Sequence, residues 1–395
     1  MSKQKRKAIG KPLQIVYFLA YHICKLLFFF KGIKVKYDKT AISDIQGPAL
    51  VLCPHTCAYD PVFVGSSVYP KRMTFVVSEH FMAKPLLRFA LTKLAHVITK
   101  KMFCADASTI MNIMRAKNEG NIIALFAEGR LNSAPQSHPV TAGTAHLVKK
   151  LGVNVYCVTA NGASLIHPKW SGVMRKGTVE VISSKLFDAE EIKNLSIDEI
   201  EKIIDDAILH DDEKAAKGRE FKVKDTTLGL DGILYKCPEC EREFTLEADN
   251  CEVRCTRCGF KTTLDTYYRF SNCRFASINE WFNWQIDTLD LSQPLESEIS
   301  VGALDEKGNM DYNAGRAYLT LSEEELAFKG ELFGESLEFE KQTSAIGGMP
   351  YTPKREFDIY HDKRLLYLMP TDRRTVVKWT LFVDKIAKSS KENTR

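Results

Sequence analysis

The chain has 395 residues, 45% of them apolar and 27% charged, and a net charge of +5. That is an ordinary globular composition, long enough for two or three domains and at least one substantial core. Eleven cysteines without an export signal argue against a disulfide-built secreted scaffold and for a reducing compartment. The charge is uneven. Residues 1–40 carry ten Lys or Arg against the single acid Asp38, and 71–101 is basic again, whereas 290–350 is rich in Glu between Glu323 and Glu340. The N-terminal part is therefore expected to face an anionic partner, phospholipid or nucleic acid.

Lys3, Lys5, Arg6, Lys7 and Lys11 precede an apolar run from Leu13 to Phe30. Lys31-Gly32-Ile33-Lys34 offers no small-residue cleavage site, so this is not read as a signal peptide. Gln14, His22 and Lys25 fall in one narrow arc at about 100° per residue. A Lys near mid-span costs roughly 2.5–3.5 kcal/mol on insertion scales. A thin polar stripe, a basic leader and much Phe and Leu fit a helix lying in the membrane interface. Residues 1–40 are thus read as a membrane-anchoring segment, with a core-packing helix and a spanning helix as the alternatives.

From 41 to 210 apolar strands alternate with amphipathic stretches. Ala49–Cys53, Met73–Val77, Ile122–Phe126, Val153–Thr159 and Thr178–Ile182 read as strands. Lys84–Leu94, Ser108–Lys117 and Ala142–Leu151 read as helices, and Ser196 with Glu199 opens another that runs to about Ala207. The pattern predicts an α/β domain with a largely buried sheet. The charged stretch Asp211–Lys224 opens a predicted linker, 211–232.

Two strand ends carry chemistry. Pro48 to Pro54 delivers His55 just past the first strand, where open α/β sheets bind ligands. Asp60 precedes Pro61 and is expected at a helix N-cap. The loop between them can fold back so that the carboxylate holds Nδ1–H and leaves Nε2 to take a proton from an alcohol. The second end, Ala127-Glu128-Gly129-Arg130-Leu131-Asn132-Ser133, sets a glycine between an acid and a planar cation. That suits a phosphate-bearing substrate: Arg130 offers a fork of donors, and Glu128 holds a hydroxyl or orients the cation. Cys57 is a weaker candidate nucleophile, since no separate base accompanies it.

Taken in order, His55-x4-Asp60, Phe126-Ala127-Glu128-Gly129-Arg130 and Gly152 to Val158 resemble the glycerolipid acyltransferase family, which includes the 1-acylglycerol-3-phosphate acyltransferases. The resemblance covers about residues 15–205. It implies that His55, paired with Asp60, deprotonates an acceptor hydroxyl that attacks an acyl thioester directly, without an acyl-enzyme. It also implies that Glu128, Gly129 and Arg130 bind the acceptor phosphate. The family's second motif usually ends in Arg; here Val97-Ile98-Thr99-Lys100 stands in its place, so Lys100 or Lys101 is expected to substitute. Ala127 replaces the usual Pro of the third motif, a form closer to lysophospholipid-remodelling members. The acceptor therefore stays open between lysophosphatidate and a related lysophospholipid.

Within 233–270, Cys237-x2-Cys240 and Cys255-x2-Cys258 have the spacing of a tetrahedral structural zinc site, with Gly259 suited to the turn after the last ligand and Cys251 left over. Acids interspersed with its bases argue against a nucleic-acid footprint on this ribbon. Trp281 and Trp284 come next and are expected to pack in a core. From 271 to 395, short alternating runs between Ile299 and Met369 and an apolar helical pattern over Thr375–Ala387 predict a β-rich domain closed by a helix, resembling a pleckstrin-homology or GRAM-like module.

The expected whole is an α/β acyltransferase domain with an N-terminal membrane-interface helix, a four-Cys zinc ribbon and a β-rich PH/GRAM-like domain. Its donor would be acyl-CoA or an acyl carrier protein thioester. Its partners would be the membrane phospholipid surface and a lysophospholipid, with no nucleic acid and no catalytic cofactor, at the cytoplasmic face of the cell membrane, peripheral or monotopic. The other readings are a catalytically idle lipid-binding protein and a zinc-ribbon adaptor.

Overall fold

The computed structural model describes residues 8–103, 106–141, 143–306, 308–362 and 364–394, with side chains as far as Ser389. The basic leader Lys3, Lys5, Arg6 and Lys7 lies outside the described residues. The chain divides into two compact units, Met1–His167 with Met174–Glu220, and Pro168–Val173 with Phe221–Arg395.

The first unit is built on one sheet whose order, among the described residues, is β1 (Ile33–Asp38), β7 (Gly177–Phe187), β6 (Asn154–Asn161), β2 (Ala49–Cys53), β5 (Ile122–Phe126), β3 (Met73–Ser78), β4 (Ile98–Lys100). β6, β2, β5, β3 and β4 run parallel, and β7 turns back antiparallel to β6. Every residue of β2 is buried, as a continuous apolar run covered on both faces should be. The core joins Leu50 and Leu52 of β2 and Ile123 and Leu125 of β5 to the helices α4 (Ala107–Asn118), α5 (Thr144–Leu151) and α8 (Ile197–Ile208) through Ile113, Val148 and Ile204. Ser196 and Glu199 close the capping box expected at the start of α8. Because the central strands are parallel, the chain leaves β2, β5, β3, β4 and β6 at one common edge. That edge carries the candidate site.

Helix α1 (Gln14–Phe30) lies along this unit rather than projecting from it. Tyr17 Oη donates to the Gly65 carbonyl at 2.9 Å, Tyr21 stacks on Tyr69 and Phe28 on Phe63. The other side shows Ile15, Phe18, Leu19, Ile23, Leu26, Phe29 and Phe30 to the outside. Among the described residues, no helix is long and apolar enough to cross a membrane.

Two sequence expectations change and one is refined. β1 was not expected at all; its alternating pattern is short and borders the basic N-terminal run. The stretch 84–94 is helical as expected but not uniform: α3 (Pro85–Phe89) runs on into a π-type turn at Ala90–Leu94, and a 3-10 turn at Glu79–Ala83 precedes it. The stretch 211–232 is not a free linker. Its start forms helix α9 (Asp212–Ala215), and Asp212 is fully buried in the first unit. A charged run reads as solvated in sequence because its partners are distant in the chain.

In the second unit, β8 (Leu246–Asp249), β9 (Glu252–Cys255), β10 (Lys261–Leu264) and β11 (Phe270–Ser271) form a small antiparallel sheet beside the cysteines. Trp281, on helix α10 (Ile278–Asp287), is fully buried against Phe260 and Phe270, and its Nε1 donates to the Lys236 carbonyl. The cysteine segment therefore shares a core with α10. Trp284 lies under the cations of Arg274 and Lys236. The remainder is an antiparallel sheet of order β15 (Glu335–Gln342), β14 (Glu325–Leu332), β13 (Met310–Leu321), β12 (Leu295–Leu304), β18 (Arg364–Pro370), β17 (Glu356–His361), β16 (Tyr351–Thr352). Helix α11 (Val376–Thr394) comes after it, and its Val376, Val377, Leu381, Phe382 and Val383 are buried.

Candidate active site

His55 stands two residues beyond β2, and its main chain is held on both sides. Its N–H donates to Glu128 Oε1 at 2.6 Å, and its carbonyl accepts from Asn132 N at 2.9 Å. The imidazole stacks on Phe126, the last residue of β5, with ring centres 4.2 Å apart. Nδ1 lies 3.0 Å from Asp60 Oδ2. The ring is 21% exposed, and Nε2 has no hydrogen bond among the described residues.

Asp60 is buried at the start of helix α2 (Asp60–Ser67). It does not cap that helix as the Asp-Pro pair suggested. Tyr59 occupies the cap position, and Asp60 Oδ2 turns back to accept Thr56 N and Cys57 N, each at 2.8 Å, besides the imidazole. A carboxylate so placed demands hydrogen on Nδ1 and leaves Nε2 with a lone pair. Burial raises the Asp60 carboxyl above its usual range, while the bonds from His55 and the Cys57 N–H oppose it. Cys57 is fully buried, and burial together with the Asp60 charge pushes its thiol well above the usual range, which makes it a poor nucleophile.

Glu128, just past β5, is buried with both oxygens engaged. Besides the His55 N–H it takes Asn132 Nδ2 and His138 N, both at 2.5 Å. Burial raises its pKa, and those donors pull it back. Glu128 is therefore set against the main chain that carries His55, and not against the hydroxyl or Arg130 expected as its partner. Gly129 follows with φ of +77°, and a Cβ there would come within 2.9 Å of Thr141 Cγ2, whose Oγ1 donates to the Ala127 carbonyl. Arg130 is buried, with one guanidinium nitrogen 3.2 and 3.3 Å from the His138 ring nitrogens.

Lys100 ends β4 at the same edge, three strand spacings from β2, or roughly 14 Å between strand axes. Burial pulls its ammonium below the usual range, with Asp106 opposing. Lys101 Nζ lies 3.9 Å from Glu79. The structure thus joins His55, Asp60 and Glu128 in one network, sets Gly129 and Arg130 beside it, and places the two lysines farther along the edge.

Sequence reasoning missed a second His–Asp pair at this edge. His210 Nε2 lies 2.7 Å from Asp212 Oδ1, and Asp212 also accepts Gly162 N, Ser164 N and Ser164 Oγ beyond the end of β6. Burial works against the imidazolium of His210, but the charges of Asp212, Asp60 and Glu128 outweigh it and raise its pKa. Ser137 N donates to the His210 carbonyl, His210 N to Ser137 Oγ, and Asp212 N to the Pro135 carbonyl. The stretch 131–138, which supplies the Asn132 and His138 donors to Glu128, is thereby tied down. The only signal was a short His-x-Asp inside a charged run.

In the second unit the sulfurs of Cys237, Cys240, Cys255 and Cys258 lie within 4.8 Å of one another, with Cys237–Cys258 and Cys240–Cys255 each at 3.8 Å. A tetrahedron with Zn–S bonds of about 2.3 Å has edges of about 3.8 Å, so the donor set fits zinc. Cys251 is outside this group; its sulfur faces the Lys224 carbonyl.

Residues 33–161 match the family model described as Acyltransferase. That span contains His55, Asp60 and 128–130 and excludes the cysteine cluster. No curated protein matches the chain. Among solved structures it is similar to the crystal structure of the 1-acyl-sn-glycerophosphate (LPA) acyltransferase PlsC from Thermotoga maritima, at 16% identity over 50% of this chain and 78% of that one, with a TM-score of 0.42.

Proposed function

We propose that the chain transfers a fatty acyl group from an acyl-CoA or acyl carrier protein thioester to the free hydroxyl of a lysoglycerophospholipid, lysophosphatidate or a relative. The observation that carries this is the His55–Asp60 pair. Nδ1 is engaged at 3.0 Å, and Nε2 has no hydrogen bond among the described residues, at the edge where the parallel strands β2 and β5 end, within the span that matches an acyltransferase family. In this reading Nε2 removes the hydroxyl proton as the oxygen bonds to the thioester carbonyl carbon. The C–S bond then breaks, and the imidazolium returns its proton to the departing thiolate. Asp60 stabilises the imidazolium in between. Arg130, Gly129 and the lysines at 100–101 receive the acceptor phosphate, and Glu128 holds the loop.

The same reading places the first unit on the cytoplasmic surface of a membrane as a peripheral or monotopic protein. Its support is the apolar outer face of α1 and the basic charge of 1–40. The four cysteines hold a structural zinc, which closes their turns and leaves no position for catalysis. The β-rich C-terminal part is taken as a PH/GRAM-like module.

The test is acyl transfer by purified protein from acyl thioesters to mixed lysophospholipids, followed by lipid mass spectrometry. His55→Ala is expected to lower the rate by about 10²–10⁴-fold. Full activity in that variant would remove the proposal.

A further inference from the structure

Residues 79–94 leave β3 at Ser78, on the edge that carries His55 and Glu128, and return to β4 at Ile98. Their 3-10 turn, α3 and π-type turn contain no buried residue. Yet the stretch is apolar: Phe81, Leu86 and Phe89 are 46%, 82% and 55% exposed. Three bases of the same stretch are exposed, Lys84 and Arg88 between these apolar residues and Lys93 after them, and the one acid, Glu79, faces Lys101. Its end meets α1, because Leu13 N donates to the Leu94 carbonyl at 2.9 Å. The exposed apolar face of α1, from Ile15 to Phe30, therefore begins where this segment ends.

An exposed Leu or Phe is unremarkable alone, but a contiguous apolar patch interleaved with one sign of charge fits an anionic lipid surface. We propose that residues 79–94 are a second docking element, which inserts Leu86 and Phe89 into an anionic phospholipid bilayer beside α1 and sets the site edge against the membrane. Acyl donor and lysolipid then reach His55 from the lipid side, along the segment that leaves β3. This rests on the membrane-surface reading above and adds the element that orients the site.

The test is flotation of the full chain with phosphatidylcholine vesicles, with and without phosphatidylglycerol. Leu86→Ser/Phe89→Ser is expected to lower binding about tenfold or more. Lys84→Glu/Arg88→Glu should weaken binding to the phosphatidylglycerol vesicles alone, each base near an anionic surface being worth about fivefold. Leu86→Trp should give a difference emission spectrum that shifts to the blue when those vesicles are added, a readout that needs no loss of binding. Leu86→Ser/Phe89→Ser that floats like the native chain while Ile23→Ser/Phe29→Ser does not, or a Leu86→Trp with no shift, overturns the inference and keeps the membrane reading. A native chain that binds neither vesicle rejects both. Vesicle binding needs no turnover, so these outcomes stand apart from the acyl-transfer assay.

Discussion

Glu128 and His55 are 73 residues apart, and the carboxylate of one accepts the main-chain N–H of the other at 2.6 Å. The bond joins the loops beyond two neighbouring parallel strands, so the position of the imidazole depends on an acid that never touches its ring nitrogens. Glu128→Ala leaves the N–H groups of His55 and His138 and the Asn132 amide without their buried acceptor. Each such group costs about 1–3 kcal/mol. Glu128→Ala is expected to unfold at clearly lower urea concentration, and Glu128→Gln to lower kcat about tenfold with KM little changed. Unaltered kinetics in Glu128→Gln would show that the bond does not position His55.

Asp212 ties the other side of the same loop. Removing its carboxylate leaves Gly162 N, Ser164 N and the His210 ring without their buried acceptor. Each buried group left unpaired in this way costs about 1–3 kcal/mol. Urea denaturation of Asp212→Ala should show a loss of that order; a loss below 1 kcal/mol, about the value of a surface pair, would return 211–224 to the status of a linker.

Asp106 caps α4, accepting from Ser108 N and Thr109 N and from both hydroxyls. These bonds hold its pKa down to about 2 against the opposing effect of burial. A carboxyl depressed in the folded state stabilises above its unfolded pKa, about 3.9, and loses that contribution as pH falls toward the folded value. Asp106→Ala should therefore cost about 1 kcal/mol at pH 7, as an N-cap does. The gap from the native chain should narrow between about pH 4 and pH 2. A gap independent of pH would mean that the loss comes from packing and not from the charge.

The cysteine cluster predicts one zinc per chain by elemental analysis. Cys237→Ser, or prolonged chelation, should release it and disturb the fluorescence of Trp281, which packs on Phe260 and Phe270 beside the cluster. Metal-free native protein with the same fluorescence and thermal unfolding would exclude a structural zinc.

Much of the frame is legible in the chain alone because its signals are local. The runs 49–53 and 122–126 are strands at the very residues read from their continuous apolar pattern, since a strand buried on both faces needs nothing from elsewhere to declare itself. The two Cys-x2-Cys pairs bring four sulfurs together because each knuckle is a short turn. The His-x4-Asp spacing likewise closes within one loop, though Asp60 serves the imidazole and two upstream N–H groups instead of capping its helix.

What only the tertiary structure decided concerns partners distant in sequence. The sheet order puts the Glu128 loop beside His55. The second His–Asp pair hides in a charged run until β6 and the stretch 131–138 close around it. The outward face of α1 is known only once Tyr17 and Phe28 are seen packed on α2. Periodicity records which residues share a face, but not which distant groups meet that face. Those meetings are set when buried polar groups must find partners on closing the core, and that demand made Glu128 the holder of the loop that carries His55.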